Sequence, residues 1–185
     1  RQMCIRDRDI ICKSKKLEEV SKDNIPQYSS LDDAMFNVNQ ILVQSEEVMS
    51  FEDLGYYLGK LHSEEESNTV AQKKYGENHS KMATLMDLAV IGKRGNRSTV
   101  YVSVLGKEFY GMEENAKREL ARRLLLRIPI IQNTFVNQSM EQIDKDMDIL
   151  SLTTKKRRRS NVINVVRSIV RDNENLSNKI DFKGE

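Results

Sequence analysis

One stretch of strand-like sequence, residues 88–109, interrupts a chain whose other patterns are helical. The stretch reads LAVIGKRGNRSTVYVSVLGKEF and is rich in the β-branched residues that favour strands. Two apolar runs, Leu88–Ile91 and Thr99–Leu105, flank the segment Gly92–Arg97, in which glycine and asparagine can adopt the positive φ of a hairpin turn. We therefore predict a β-hairpin with basic residues at its tip, namely Lys93, Arg94 and Arg97.

Apolar residues recur at helical spacing on both sides of this hairpin. Before it, helices are predicted over residues 29–44 and 49–62, the second with a capping box formed by Ser50 and Asp53. Gly76 and Asn78 interrupt the next helical pattern, which predicts one helix ending near Tyr75 and another from Asn78 to Leu88. After the hairpin, the pattern predicts a helix over 114–136 that is interrupted near Pro129, and further helices over 138–150 and 153–171.

Helices followed by a hairpin with a basic tip form the element order of a winged helix-turn-helix. In that fold the last helix before the hairpin enters the major groove. The expected fold class is mainly α with a small β-hairpin wing: a winged helix-turn-helix followed by a second helical unit that resembles a helix-turn-helix. The predicted divisions are a linker at 9–28, a winged-helix domain at 29–112, a helical extension at 113–172 and a polar tail at 173–185.

The first eight residues are set apart from this organisation. Their segment MCIRDR, residues 3–8, resembles a translated sequencing-adaptor remnant, so we expect a metagenomic fragment that lacks its natural N-terminus. Without residues 1–8, Cys12 is the single cysteine, which argues against a disulfide or a zinc site and favours a cytoplasmic protein. No apolar run approaches the roughly 18 residues of a membrane helix. We expect no membrane association, no metal and no cofactor.

Charge is distributed unevenly along the chain. Residues 9–87 contain 8 basic and 15 acidic residues, whereas residues 88–185 contain 19 and 12. Such asymmetry is typical of chains that bind nucleic acid or an acidic partner. Two halves of opposite charge that pack together would produce the same asymmetry.

The segment TTKKRRRSNVINVVRSIVR, residues 153–171, carries the densest positive charge. At about 100° per residue, one arc of this helix is apolar and comprises Val162, Val165, Val166, Ile169 and Val170. The opposite arc lacks acidic residues and comprises Arg157, Ser160, Asn161, Asn164, Arg167 and Arg171. These residue types suit base edges and phosphates. Phosphate contacts are also predicted near the helix start, which Thr153 or Thr154 would cap, from Lys155, Lys156, Arg158 and Arg159.

Three alternatives compete with DNA contact at this segment. A basic helix face is often simply solvated, and a run of five cations also fits a nuclear import signal. The face could instead pack against an acidic partner or against the acidic N-terminal half.

In the predicted helix from Asn78 to Leu88, the residues proposed to face DNA are His79, Ser80, Lys81 and Thr84.

Three segments carry a resemblance to a known family. KYGENHSKMATLMDLAVI, VYVSVLGKEF and LLLRIPIIQ resemble a prokaryotic winged-helix family whose members occur with, or inside, restriction–modification proteins. The matching motifs are Gly76-Glu77-Asn78-His79 and Leu105-Gly106-Lys107-Glu108-Phe109, and the resemblance covers roughly residues 30–171. This chain has Leu88-Ala89 where the relatives have a Leu-Gly-like turn. The resemblance implies a winged helix and double-stranded DNA as partner.

No catalytic constellation stands out in the sequence. His62 and His79 lack a cysteine partner, and no nucleophile elbow, P-loop or zinc-protease motif is present. Asp144, Asp146 and Asp148 alternate without the glycine of a calcium loop and are expected to be solvated. We therefore expect a DNA-binding protein that is not an enzyme: a transcription regulator or the recognition part of a restriction–modification system. The partners left open are a restriction–modification protein and a second copy of the chain.

Two other functions remain open at this point. The chain could be the C-terminal fragment of a type II restriction endonuclease whose catalytic domain is missing. It could also be a protein–protein adaptor, a role that winged helices serve as well.

Overall fold

The structure is a computed structural model that describes residues 19–46, 48–62, 68–171 and 180. In these residues the chain is mainly helical, with one small antiparallel sheet. It divides into a central unit, Gln27–Ala121, and a terminal unit composed of Arg1–Pro26 and Arg122–Glu185. The sequence prediction placed the boundary between the domains at residues 112 and 113. None of the described helices combines the length and the apolar character needed to cross a bilayer.

The central unit alternates helices with short strands. A π-helical turn, Asp33–Asn37, leads into α1 (Val38–Ser45), and the elements that follow are β1 (Met49–Ser50), α2 (Phe51–Lys60), α3 (Thr69–Leu85), β2 (Ala89–Arg94), β3 (Arg97–Val102), α4 (Val104–Tyr110) and α5 (Glu114–Leu125). The last of these helices continues into the terminal unit. The sheet has the strand order β1-β3-β2.

The hairpin is confirmed, and its ends differ from the prediction. Arg94 pairs with Arg97 across a two-residue turn in which Gly95 adopts a φ of 61°. The second strand ends at Val102 because Ser103 caps a helix: its Oγ accepts a hydrogen bond from the Gly106 amide at 2.8 Å. Consequently the last two residues of the predicted strand are helical.

The predicted break in the third helix is wrong, because α3 runs without interruption from Thr69 to Leu85. Gly76 lies inside α3, where α3 crosses α2 so closely that a Cβ at Gly76 would overlap the carbonyl oxygen of Phe51. A Cβ at Gly55 of α2 would likewise overlap the carbonyl oxygen of Gln72. Glycine is therefore needed here for close backbone approach rather than for a turn.

The core of the central unit joins α1, α2, α3 and the sheet. Its buried cluster comprises Val38, Leu42, Phe51, Leu54, Leu58, Ala83, Ala89 and Val100. The capping box predicted for α2 is confirmed, since Ser50 Oγ accepts from the Asp53 amide at 3.1 Å. The sequence patterns missed β1, whose two residues pair with Thr99 and Val100.

The terminal unit is helical throughout its described elements. These are α6 (Pro129–Asn137), α7 (Glu141–Asp146), a 3-10 turn (Met147–Ile149) and α8 (Leu152–Arg171). Pro129 occupies the first turn of α6, which confirms the predicted interruption. Because α8 already begins at Leu152, Thr153 and Thr154 lie within its first turn and do not cap it.

The apolar arc predicted for the last helix is confirmed. All five of its residues, from Val162 to Val170, are buried, and Ile163 joins them. Part of the predicted linker contributes to the same unit, since Ile25 and Pro26 are buried. Residues 9–18 of that linker, the adaptor-like residues 1–8 with Cys4, and Cys12 lie outside the described residues. So does most of the predicted tail, of which only Ile180 is described.

The crossing of α2 and α3 gives a test of the packing. Gly76→Ala should lower the free energy of unfolding by about 3 kcal/mol, because its Cβ has no space beside the Phe51 carbonyl. Gly59→Ala, in the partner helix α2 of this crossing, is the control, since a Cβ there meets nothing within 4 Å. The control should raise stability by about 0.5–1 kcal/mol through helix propensity. Urea denaturation followed by circular dichroism measures both, and equal shifts would contradict the close crossing.

Candidate nucleic-acid interface

One face of α8 is exposed, polar and free of acidic residues. We call it the outward face of α8, and its exposed members are Lys156, Arg157, Ser160, Asn164, Arg167 and Arg171. At about 100° per residue they fall within an arc of roughly 100°. Asn161, also predicted for this face, is only half-exposed at its margin. The predicted polar arc is thus present in the structure, with Lys156 added to it.

The other three cations of the basic run face inward. On the helical wheel, Lys155, Arg158 and Arg159 fall on the side of the buried valines. Arg159 donates two hydrogen bonds to the carboxylate of Asp144, one from Nε and one from Nη2, each at 3.0 Å. The ammonium group of Lys155 donates to the Asp144 carbonyl at 2.8 Å and to the Asp148 carboxylate at 2.7 Å.

The Arg158 side chain hydrogen-bonds to backbone carbonyl groups. Its Nη1 donates to the carbonyl oxygens of Lys22 and Ile25, at 2.7 and 3.4 Å. Burial, together with the charge of Arg157, lowers the pKa of the Arg158 guanidinium. The prediction that Lys155, Arg158 and Arg159 contact phosphates is therefore corrected: these side chains hold α8 to the remainder of the terminal unit.

The acidic residues of α7 and the following turn are the partners of these cations. Of the three aspartates expected to be solvated, Asp148 is exposed as predicted, whereas Asp144 and Asp146 are half-buried. Asp144 and Asp148 pair with Arg159 and Lys155, and Asp146 accepts hydrogen bonds from Asn133 at 3.0 Å and Gln142 at 2.7 Å. Among the described residues, Asp144 and Asp148 thus pair with the inward cations Arg159 and Lys155 and not with the cations of the outward face.

In the central unit, α3 presents a second basic face. We call it the outward face of α3, and its members are Val70, Lys73, Lys74, Glu77 and Lys81. Glu77 bridges two of the lysines, at 3.0 Å from Lys74 and 2.6 Å from Lys81. Burial works to raise the pKa of Glu77, but the hydrogen bonds from Lys81 and Lys74 outweigh it and lower the pKa.

Two residues predicted to contact DNA from this helix lie in the interior. His79 and Ser80 are both 0% exposed, so neither side chain can reach a duplex, and that part of the prediction is wrong. Lys81 is exposed as predicted, and Thr84 is half-buried with its hydroxyl donating to the Ser80 carbonyl at 2.9 Å. Lys73 and Lys74 were not among the residues predicted to contact DNA. The sequence prediction divided the helix at Gly76 and so placed both lysines in a different helix from Lys81.

The hairpin and α3 border one polar groove. Lys93, Arg94 and Arg97 are all exposed at the hairpin tip, as predicted. Arg97 lines a groove together with Lys73 and Glu77 of α3. The remaining residues of this groove are Ser50, Phe51, Glu52, Asn96 and Ser98. Cations from the two elements therefore reach the same surface of the central unit.

A buried polar network holds α3 in place behind this surface. The carboxylate of Asp33, 0% exposed, accepts hydrogen bonds from Tyr75 at 2.6 Å, Asn37 at 2.6 Å and His62 at 2.8 Å. Burial favours a higher pKa for Asp33, but these hydrogen bonds outweigh it and lower the pKa. Burial and the bond to Asp33 raise the pKa of Tyr75. The network thus contains a carboxylate and a neutral phenol.

His79 extends the same network and is uncharged. Its Nε2 accepts the Ser30 amide at 3.0 Å, so the proton is on Nδ1, which donates to the Tyr75 carbonyl at 2.7 Å. Burial lowers the pKa of the imidazole. His79 therefore links the start of the unit to α3 and has a structural role.

No known protein family, curated protein or solved structure matches this chain. The motifs that carried the winged-helix resemblance both lie in helices: Gly76–His79 within α3 and Leu105–Phe109 within α4. The expected turn at Gly76 is therefore absent.

The inward and outward cations should differ in their effect on stability. Arg159→Ala should lower the free energy of unfolding by about 1 kcal/mol, because it removes a two-point ion pair with Asp144 that is partly exposed. Arg157→Ala, two positions earlier on the outward face, should leave stability unchanged. Urea denaturation of both variants measures the difference. Equal losses would contradict the assignment of the two faces.

Stability should fall on acidification as His79 is forced to accept a proton. Its folded-state pKa lies below the ordinary 6.5, so its contribution is complete above pH 6.5 and is lost as pH falls toward the folded pKa. The expected slope is at most about 1.4 kcal/mol per pH unit. The free energy of unfolding, measured by urea denaturation between pH 7.5 and pH 5, should show this slope in the wild type and a flatter one in His79→Gln. An unchanged slope in His79→Gln would exclude His79 as the titrating group.

Proposed function

We propose that this chain binds double-stranded DNA, with the outward face of α8 as its principal contact. One observation carries the proposal: every exposed residue of that face from Lys156 to Arg171 is basic or a hydrogen-bonding polar residue, and Asp144 and Asp148 pair with the inward cations instead. Arginine pairs with guanine edges, asparagine with adenine edges, and serine with bases or phosphate.

The electrostatics of the start of α8 favour an external anion. The positive end of the helix dipole lies there, yet the first turns carry Lys156 and Arg157 exposed and no acidic residue. Like charges so placed destabilise the helix end unless an anion approaches. A phosphate group offers both charge neutralisation and hydrogen-bond acceptors.

In the central unit, the element order supports a winged helix-turn-helix. A helix, a short strand, two helices and a two-stranded hairpin follow in sequence, and β1 joins the hairpin at its β3 edge. In such folds the second helix of the helix-turn-helix enters the major groove and the hairpin contacts the backbone. Here those elements are α3 and the hairpin with Lys93, Arg94 and Arg97.

In the terminal unit, α7 and α8 are separated by a short turn and supply a second candidate helix-turn-helix. The recognition helix would be α8, whose outward face is exposed from Lys156 to Arg171. The biological role we propose is a regulator, or the recognition component of a restriction–modification system, which the sequence resemblance suggests. Each unit would contribute its own basic surface to DNA binding.

Salt dependence of binding tests the proposal. Duplex affinity of the full chain should fall with salt, and Lys156→Ala or Lys93→Ala should each reduce the slope of log K against log salt by about 0.9. The matched control is Lys107→Ala, which removes an exposed cation of α4 outside both proposed surfaces. Fluorescence anisotropy with a labelled duplex measures the slopes. A wild-type slope near zero would exclude DNA binding and favour a protein partner.

Sequence preference separates the roles of these residues. Asn164→Ala and Arg157→Ala should relax preference at individual base pairs by about 1–3 kcal/mol, because their side chains are placed to meet base edges. Lys93→Ala should weaken binding to all sequences evenly, since a hairpin-tip lysine meets phosphate. Selection from a random duplex pool measures the preference of each variant. Identical preference profiles would contradict base contact by α8.

A further inference from the structure

Two aliphatic side chains on the proposed recognition helices are almost fully exposed. Leu152 is 86% exposed and Val70 is 80% exposed, the highest values among the large hydrophobic side chains of the described residues. Leu152 is the first residue of α8, and Val70 is the second residue of α3. Exposure of a leucine or a valine to water is unfavourable, so in both helices the first turn presents apolar surface that a partner could cover.

The surroundings of these side chains specify the chemistry of that partner. Lys156 follows Leu152 by one helical turn, and Lys73 and Lys74 follow Val70 by one turn. A partner must therefore offer a small apolar group within reach of anionic groups. An acidic protein surface can supply both groups as well, and binding to duplex DNA distinguishes the two classes of partner.

The major groove of DNA offers this combination in a fixed geometry. Thymine carries a C5-methyl group on its major-groove edge, and alanine, threonine and phenylalanine side chains are known to contact it. Residues in the first turns of a recognition helix are those that meet base edges. Leu152 and Val70 occupy that place in α8 and α3.

We propose that Leu152 and Val70 are specificity determinants that each contact the C5-methyl group of a thymine in the major groove. The inference rests on the proposed DNA binding and adds a base preference to it. Lysines one turn further along each helix meet the flanking phosphates. The protein should accordingly prefer A·T base pairs opposite the first turn of each helix.

Replacement of thymine by uracil tests this directly, because uracil lacks only the methyl group. The probes are a duplex of alternating dA and dT and the same duplex with dU in place of dT, each bound to the full chain. Wild type should bind the dT duplex more tightly, by about fourfold for each methyl group contacted. Leu152→Ala and Val70→Ala should each reduce that ratio, and the double variant should abolish it.

A matched variant controls for the loss of any exposed aliphatic side chain. Val104 is 78% exposed at the first residue of α4, a helix outside the proposed interface, and Val104→Ala should leave the dT-to-dU ratio unchanged. All three side chains are exposed, so none of the substitutions should lower the unfolding midpoint.

The outcomes separate this inference from the proposed function. Equal affinity of wild type for the dT and dU duplexes, with clear salt-dependent binding of both, would overturn the thymine contacts and leave DNA binding intact. A ratio that persists in the double variant would overturn them as well. Failure to bind any duplex would overturn the proposed function and this inference together, and capture of an acidic protein through Leu152 would then identify the other class of partner.

Discussion

Burial of the valine arc of α8 is the constraint on which the candidate interface depends. Because Val162, Val165, Val166 and Ile169 must leave water, the rotation of the helix about its axis is set. The same rotation determines which residues of the basic run, Lys155 to Arg159, face inward and which face outward, because five consecutive helical residues cannot all lie on one side. Three cations face inward and two face outward. The interface is thus a consequence of hydrophobic burial rather than of charge alone.

Inward cations near a core require partners, and the chain supplies them locally. Asp144 and Asp148 precede α8 by one short turn and neutralise Lys155 and Arg159, while carbonyl oxygens receive Arg158. Partly buried charges without such partners would be costly. This pairing engages Asp144 and Asp148 with the inward cations rather than with the cations of the outward face. One set of interactions stabilises the terminal unit and also determines its electrostatic surface.

In the central unit, the close approach of the α2 and α3 backbones helps to determine which residues are exposed. Gly55 and Gly76 allow α2 and α3 to cross in direct backbone contact, and the buried network of Asp33, Tyr75 and His79 ties α3 to the beginning of the unit. These contacts determine which side of α3 is exposed. Lys73, Lys74 and Lys81 face outward because His79 and Ser80 face the interior.

Several elements followed from local sequence alone. The hairpin, the valine arc, the Pro129 interruption and the Ser50 cap were predicted correctly, because each depends on periodicity or on chemistry within a few residues. The errors at Gly76, His79 and the basic run share one cause. A glycine within a helix is ambiguous between a turn and a close crossing, and a histidine or an arginine is ambiguous between surface and interior. The helical wheel that predicts the buried valines also places Lys155, Arg158 and Arg159 on the buried side of α8. The inward orientation of these three cations could therefore have been predicted from the sequence.

The sequence by itself determined the helical and strand periods, the position of the hairpin and the presence of an acid-free polar arc in the last helix. These properties are encoded over distances of one or two helical turns, where side-chain spacing dictates the outcome. Only the tertiary structure decided which polar residues remain at the surface. That decision depends on partners distant in the chain, such as Ser30 for His79, Phe51 for Gly76 and Lys22 for Arg158, and no local pattern records such contacts.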